Sequence, residues 1–217
     1  MHTGEAMWDW LKSPKTKASK HELEDQPVAT SPVETPQEKI IVITGMSGSG
    51  RKNTAKQLSL ALGIPYVPSH TTRAIRPQER EGEHYHFISD EVFQSMLDRK
   101  GFFQTVHLER GSYGISETEL LKALEIRKAV IVVVNHEGAL AFHKKYGEAA
   151  LRIFLYVTKD DIRLRLEREA VPSGIVDEYL ENYAEEVIYK KEAEFLLQNI
   201  DPGLTLEKIK GFLQDKI

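Results

Sequence analysis

Residues 39–54, which read KIIVITGMSGSGRKNT, constrain the fold more than any other part of this chain. The β-branched run at 40–43 has the length and composition of a parallel strand that is covered on both faces. The glycines that follow let the backbone turn tightly and point its N–H groups inward, and apolar residues at helical spacing come next. The stretch therefore predicts a buried strand, an anion-binding loop and a helix.

The loop has the glycine spacing of the phosphate-binding pattern G-x-x-x-x-G-K-[ST] but departs from it after the second glycine. Arg51 stands where the pattern has a lysine, and Lys52 stands where it has the hydroxyl that ligates Mg²⁺. We expect an ATP site here in which the usual ligand positions of Mg²⁺ are altered, with Asn53 or Thr54 as alternative metal ligands. The residues of this expected site are Gly45, Ser47, Gly48, Ser49, Gly50, Arg51, Lys52, Asn53 and Thr54.

Composition excludes several classes of protein. The 217 residues carry a formal net charge of -4, which argues against a general nucleic-acid binder. The absence of cysteine removes disulfides and thiolate zinc sites, and the pair His84 and His86 lacks a third ligand at a recognisable spacing, so we favour surface histidines. No apolar run approaches the roughly 18 residues that span a membrane, and no signal peptide is evident. We expect a cytoplasmic protein that does not bind membranes.

Residues 1–38 form a region of their own, rich in Pro, Ser, Thr, Lys and Glu, which is a composition typical of disorder. Its exception is the aromatic pair Trp8 and Trp10, which a basic segment follows. The pair favours a short motif that docks on a partner protein or folds back on the chain's own domain. The alternative is a tail with no specific role. The folded domain is expected at 39–217.

Beyond the tail, segments with strand and helix patterns alternate to the end of the chain. This alternation predicts an α/β fold with a doubly wound parallel sheet and right-handed crossovers. The strand-like segments between 85 and 108 instead indicate a small inserted sheet. Capping boxes are expected at Ser116 with Glu119 and at Thr158 with Asp161, and other helices are expected at 53–62, 175–198 and 204–217.

In a doubly wound sheet the ligand lies outside the carboxyl ends of the strands. That edge would collect the loops at 45–52, 69–76 and 135–138 and the break near Arg168. One of these loops carries a specific motif. The segment SHTTRAIRP at 69–77, followed by GEHYHF at 82–87, resembles the monophosphate-binding signature of guanylate kinases, S-x-T-T-R-x-x-R and G-x-x-Y-x-F. The resemblance extends to SYG at 112–114 and covers roughly residue 40 to the C-terminus.

The resemblance implies a P-loop NTPase fold with an inserted monophosphate-binding β-subdomain at 69–116 and a helical lid at 165–180. It also implies transfer of the γ-phosphoryl group of ATP to a nucleoside monophosphate. The residues that match the positions holding the acceptor's phosphate are Ser69, Arg73, Arg76, Tyr85 and Tyr113. Two guanidinium groups and three hydroxyls suit a phosphate dianion, whereas the alternative for the arginines is a solvated charged loop.

Several positions depart from the pattern of that family. Guanylate kinases read the base with a Glu and with a Ser or Thr, where this chain has Gln104 and Ile115. Two family aspartates at the end of the central strand correspond to Val133 and Asn135. A glutamine accepts hydrogen bonds without charge and an isoleucine accepts none. We therefore keep Gln104, Ile115 and Asn135 as substrate-site candidates and expect weakened selectivity for guanine.

The lid arginines of the family are matched at Arg165, are offset by one position at Arg168 and are missing near Leu180. Two functions follow from this mixture of matches and departures. In the first, the protein is an active nucleoside-monophosphate kinase, and its catalytic cations are Arg51, Lys52, Arg165 and Arg168. In the second, it is a catalytically impaired pseudokinase module that binds a nucleotide or a phosphorylated or acidic ligand.

Overall fold

A computed structural model describes residues 38–217, so all but the last residue of the predicted tail lies outside the described residues. The strands of the described part are β1 (Lys39–Gly45), β2 (Tyr66–Val67), β3 (His70–Thr71), β4 (His86–Phe87), β5 (Phe102–Leu108), β6 (Gly111–Ser116), β7 (Ala129–Val133), β8 (Ala150–Tyr156) and β9 (Phe195–Gln198). Its helices are α1 (Arg51–Leu62), α2 (Asp90–Asp98), α3 (Glu117–Arg127), α4 (His136–Tyr146), α5 (Lys159–Arg168), α6 (Ser173–Glu181), α7 (Tyr183–Val187) and α8 (Pro202–Leu213). Within 38–217, no helix is both long enough and apolar enough to cross a membrane.

The larger sheet is parallel throughout and has the strand order β2-β7-β1-β8-β9. β1 lies at its centre, and residues 40–43 of this strand have no solvent exposure. Alternate side chains enter two different cores, since Ile40 packs in a cluster with Phe142 of α4 and Ile41 packs in a cluster with Leu58 of α1. The predicted doubly wound sheet is thereby confirmed.

The smaller sheet has the strand order β4-β3-β6-β5 and lies between β2 and β7 in the sequence. β5 and β6 form an antiparallel hairpin, and β3 pairs with β6 antiparallel and with β4 in parallel. This sheet corresponds to the predicted insertion. The strands of the smaller sheet and the loop after β3 lie next to the carboxyl ends of the strands of the larger sheet.

Polar caps begin several helices at the positions that the sequence indicates. The Ser116 side chain accepts a hydrogen bond from the Glu119 N–H at the start of α3. Thr158 and Asp161 form a complete capping box at the start of α5. Asn135, which was expected near the ligand, caps α4 by accepting from the Gly138 N–H at 3.0 Å. These caps satisfy backbone donors that a helix start leaves unpaired.

The prediction of a single long helix at 175–198 is wrong. The chain instead forms α6, α7 and a 3-10 turn at Ile188–Glu192, and then a fifth parallel strand, β9. β9 pairs with β8, and Leu197 is buried opposite Leu155 of that strand. Arg152 of β8 forms an ion pair with Glu194, the residue just before β9, and its Nη2 atom lies 2.6 Å from the Oε1 atom of Glu194. Pairing with a sheet edge therefore overrides the helical pattern of the segment.

Candidate functional site

A cavity of about 340 Å³ opens at the carboxyl ends of β1 and β7. The glycine loop at 45–50 forms one side of it and the smaller sheet forms the other. The predicted site residues that line it are Ser47, Gly48, Gly50, Arg51, Lys52, Asn53, Ser69, Arg73, Arg76, Tyr85, Gln104, Tyr113, Asn135 and Arg165. The loops therefore meet at this edge of the sheet as expected. The candidates from the glycine loop and those from the monophosphate signature line one cavity.

Five of the predicted residues are not among those that line the cavity, namely Gly45, Ser49, Thr54, Ile115 and Arg168. Ile115 is 1% exposed and lies in the core cluster with Leu120 and Phe142. Arg168 is exposed at the end of α5. Ile115 therefore faces the hydrophobic core, where it cannot contact a base in the cavity.

The glycine loop has the backbone conformation that its glycines permit. Gly45 ends β1 with a φ of 128°, and a Cβ there would lie 2.0 Å from the Leu155 carbonyl oxygen of the neighbouring strand. Gly50 has a φ of 85° and begins α1. A Cβ on Gly50 would lie 2.8 Å from the side-chain nitrogen of Asn199. Side chains at these two positions would both strain the backbone and collide with neighbours.

Residues from the last third of the chain hold this loop. The two carboxylate oxygens of Glu186, in α7, accept from the Ser47 N–H at 2.8 Å and from the Ser47 hydroxyl at 2.7 Å. The Asn199 side chain donates to the Ser49 carbonyl at 2.7 Å, and Arg165 donates to the Asn199 carbonyl. The loop is therefore built from residues that are more than a hundred positions apart in the sequence.

Glu79 organises the cations on the opposite side of the cavity. Its carboxylate accepts two hydrogen bonds from the Arg73 guanidinium, both at 2.8 Å, and one from the Arg76 N–H at 3.0 Å. The side chains of Arg73 and Glu79 are 9% and 10% exposed. Burial opposes the charge of Glu79, but the hydrogen bond from Arg73, that from Arg76 and the charge of Lys52 outweigh it and lower the pKa of this carboxyl.

Lys52 extends from the first turn of α1 toward the same carboxylate. Its Nζ atom lies 3.3 Å from a carboxylate oxygen of Glu79 and 3.8 Å from the centre of the Tyr85 ring. Burial lowers the pKa of Lys52 to about 8, although the charge of Glu79 partly offsets this effect. The ammonium group therefore lies on the side of the cavity that the smaller sheet and its loops form.

The remaining wall of the cavity carries few charges. Gln104 donates from its side-chain nitrogen to the Thr105 carbonyl at 2.9 Å, which leaves its side-chain oxygen to accept from a ligand. The apolar residues near it in the wall are Val106, Leu108, Val133 and Val134. This end of the cavity suits a flat, largely apolar ring system with hydrogen-bonding edges.

Sequence reasoning missed several residues that shape the site, among them Glu79, Tyr179, Glu186 and Asn199. Glu79 lies within the arginine-rich segment, between Arg76 and Arg80, and an acidic residue placed between two arginines is a signal that could have identified it. Tyr179 lines the cavity, and its hydroxyl accepts from Arg76 at 3.1 Å. Tyr179 and Glu186 lie within 175–198, where the sequence pattern predicts one long helix, so no local pattern identifies them as site residues.

Known proteins share the sequence pattern and the fold of this chain. Residues 37–216 match the family description of guanylate kinase. The chain belongs to the guanylate kinase family. A guanylate kinase of Polaromonas sp. is 31% identical over 162 residues, which make up 74% of this chain and 79% of that protein. One from Francisella tularensis subsp. holarctica is 29% identical over 184 residues, 82% of this chain and 97% of that protein.

The fold has a solved counterpart as well. The crystal structure of guanylate kinase from Anaplasma phagocytophilum matches with a TM-score of 0.67 and 22% identity, covering 83% of this chain and 87% of that one. Family membership confirms the predicted leaning toward nucleotide-dependent phosphoryl transfer to a nucleoside monophosphate. It also implies the use of ATP and Mg²⁺. None of these matches favours the binding-only alternative.

The contact between Glu186 and the glycine loop leads to a prediction for this guanylate kinase family member. Glu186→Gln should raise the KM for ATP roughly 3- to 30-fold, because its amide nitrogen would replace one of the two carboxylate oxygens that now accept from the N–H and the hydroxyl of Ser47. Initial rates at varied ATP measure this change. Glu185→Gln is the matched control, since Glu185 is its exposed neighbour in α7. Equal KM values for the two variants would contradict a role of Glu186 in holding the loop.

Proposed function

We propose that this protein transfers the γ-phosphoryl group of ATP to a nucleoside monophosphate, with GMP as the acceptor that its relatives favour. One observation carries the proposal. The glycine loop and the residues that match the acceptor signature line a single cavity, so two phosphate groups bound there would face each other. Direct phosphoryl transfer requires this arrangement, since the protein contributes mostly positioning and charge.

The donor side fits the phosphates of ATP. The Ser49 hydroxyl is buried in the glycine loop and has no hydrogen-bond partner among the described residues. Gly48 and Gly50 line the cavity just before the start of α1, where the backbone N–H groups of a helix N-terminus can bind a phosphate. Mg²⁺ bound with ATP would neutralise charge on the phosphates, and Asn53, which lines the cavity, is the residue we assign to it.

The acceptor side would hold the monophosphate through Arg73 and Arg76, with hydroxyl groups from Ser69, Tyr85 and Tyr113. Glu79 keeps the Arg73 guanidinium in place before the substrate binds. Such preorganisation lowers the cost of ordering a long, flexible side chain during binding.

Cations between the two sites would stabilise the charge of the transferred group. Arg51 and Lys52 come from the first turn of α1 and Arg165 from α5, and all three line the cavity. We assign the electrostatic part of catalysis to them. Arg168 is exposed outside the wall, so its predicted role requires movement of the lid at 165–180.

Gln104 is the residue we assign to the base. Its side-chain oxygen can accept a hydrogen bond from an amino group of guanine, but it carries no charge. Ile115 lies in the core and offers no hydrogen bond to the base. We therefore propose that GMP is accepted with modest selectivity over other purine monophosphates. The docking role of Trp8 and Trp10 and a cytoplasmic location both stay predictions.

A nucleotide panel tests the proposed function. ATP is incubated with GMP, AMP, CMP, UMP and dGMP, with and without Mg²⁺, and diphosphate products are separated by ion-exchange chromatography. We expect Mg²⁺-dependent formation of GDP at a higher rate than the other diphosphates. A kinase carried over from the expression host is excluded by the Arg73→Ala variant, purified in the same way.

Two outcomes would contradict the proposal. If the wild-type protein binds GMP in a calorimeter but phosphorylates none of the acceptors, the protein is a binding module. If GMP and ATP both fail to bind, the cavity is not a nucleotide site.

A further inference from the structure

Tyr179 is the residue of α6 that reaches both halves of the cavity. Its hydroxyl accepts from the Arg76 guanidinium at 3.1 Å, and its ring carbon Cδ2 lies 3.5 Å from the position that a Cβ of Gly48 would take. The guanidinium carbon of Arg110 lies 5.4 Å from the centre of the same ring. One side chain therefore binds the loop after β3 through Arg76 and lies near the glycine loop and the hairpin between β5 and β6.

The hydrogen-bond chemistry of Tyr179 leaves one proton to be donated. A guanidinium group can only donate, so the phenol oxygen must be the acceptor in its contact with Arg76. Among the side chains that the structure describes, the hydrogen bond of the Tyr179 hydroxyl is the one that it accepts from Arg76. Since Tyr179 lines the cavity, this proton is available to a ligand that Arg76 also binds.

The positive charges around the Tyr179 hydroxyl favour an anionic ligand. Burial would raise the pKa of Tyr179, but the hydrogen bond from Arg76 and the charges of Arg76, Arg110 and Arg51 outweigh burial and lower it. Several guanidinium groups thus face one phenol at the junction of the donor and acceptor sides. Among the groups of the two substrates, a phosphate is the one that such a set of donors and cations binds best.

We propose that Tyr179 is a substrate-binding residue whose hydroxyl donates to an oxygen of the acceptor's phosphate while it accepts from Arg76. The inference rests on the proposed function and adds a residue of the lid segment to the acceptor site.

The test removes one oxygen atom. Tyr179→Phe should weaken the binding of GMP roughly tenfold in calorimetry, which is the range for a hydrogen bond to a charged group, and should lower kcat/KM for GMP by a similar factor. The KM for ATP should change less than about twofold, because the ring still packs beside Gly48. Tyr183→Phe is the matched control, since Tyr183 is a phenol of the neighbouring α7 whose hydroxyl donates to the Val157 carbonyl at 3.3 Å.

A double-variant cycle with Arg76→Ala completes the experiment. If Tyr179 and Arg76 bind the same phosphate, the two losses should be non-additive. Wild-type affinity for GMP in Tyr179→Phe, or an equal loss in Tyr179→Phe and Tyr183→Phe, would overturn the inference and leave the proposed function standing. Failure of the wild-type protein to bind GMP would overturn the proposed function and this inference with it.

Discussion

Arg73→Ala should lower kcat/KM for the monophosphate by roughly 10²- to 10³-fold, with little change in the KM for ATP. The variant loses a guanidinium fork on the acceptor side and leaves the nearly buried carboxylate of Glu79 with fewer donors. Initial rates at varied GMP and at saturating ATP measure the effect. Arg73→Lys should recover part of the loss, because it restores the charge without the fork.

Two further variants separate function from folding at Arg73. Arg73→Ala combined with Glu79→Gln removes the uncompensated carboxylate, so this double variant should melt closer to the wild type while its kcat/KM stays as low as that of Arg73→Ala. Arg80→Ala is the control for charge alone, since Arg80 belongs to the same segment and its side chain is 81% exposed. If Arg80→Ala loses as much activity as Arg73→Ala, general electrostatic attraction explains the effect and the assigned pocket is wrong.

Lys52→Met should lower kcat/KM for the monophosphate by roughly 10- to 100-fold and remove a pH dependence. The pKa of Lys52 is about 8, so its ammonium is mostly present at pH 7 and mostly absent at pH 9. In the wild type, kcat/KM should therefore fall about tenfold between these pH values, because this ratio reports the ionisation of the free enzyme. In Lys52→Met, this fall should be absent.

The groups that face Lys52 define the controls for this pH experiment. They are Glu79 and Arg73 from the acceptor loop, Tyr85 beside the smaller sheet and Tyr179 from α6. Tyr179 also has a lowered pKa, so Tyr179→Phe is titrated in parallel. Lys56→Met is the matched control, because Lys56 lies one turn later in α1 and pairs with Glu83. A fall in kcat/KM that persists in Lys52→Met would assign the titration to a group other than Lys52.

The position of Lys52 changes the meaning of the altered glycine loop. From the sequence, Lys52 stands at the position of the hydroxyl that ligates Mg²⁺, where an ammonium group would repel a metal ion. In the structure its side chain turns to Glu79 and Tyr85 on the other side of the cavity. Lys52 thus joins the cations on the Glu79 side of the cavity, and the direction of its long side chain is decided by partners that are distant in sequence.

Local patterns predict much of the fold and fail where an element depends on a distant partner. The buried run at 40–43 and the capped starts of α3 and α5 follow from residues close in sequence. β9 does not, because its four residues become a strand only by pairing with β8. A short apolar segment is compatible with either a helix or a strand until a sheet edge is available to it.

The same distinction between local and distant determinants applies to the residues of the candidate site. The signature residues Arg73, Arg76 and Tyr85 could be chosen from one segment of the chain, because a phosphate requires their chemical groups at a recognisable spacing. Ile115 could not be judged in this way, since the face that a residue presents depends on the register of β5 with β6. In the folded chain it lies in the core, beside Leu120.

The sequence by itself determined a parallel α/β fold, a phosphate-binding loop and an acceptor signature, because each depends on neighbouring residues and on their backbone preferences. Tertiary structure alone decided that Glu79 joins Lys52 to Arg73, that Glu186 binds the loop and that Tyr179 lies between the two halves of the cavity. These contacts join positions up to 139 residues apart. Their geometry follows from the packing of whole elements, which no local pattern encodes.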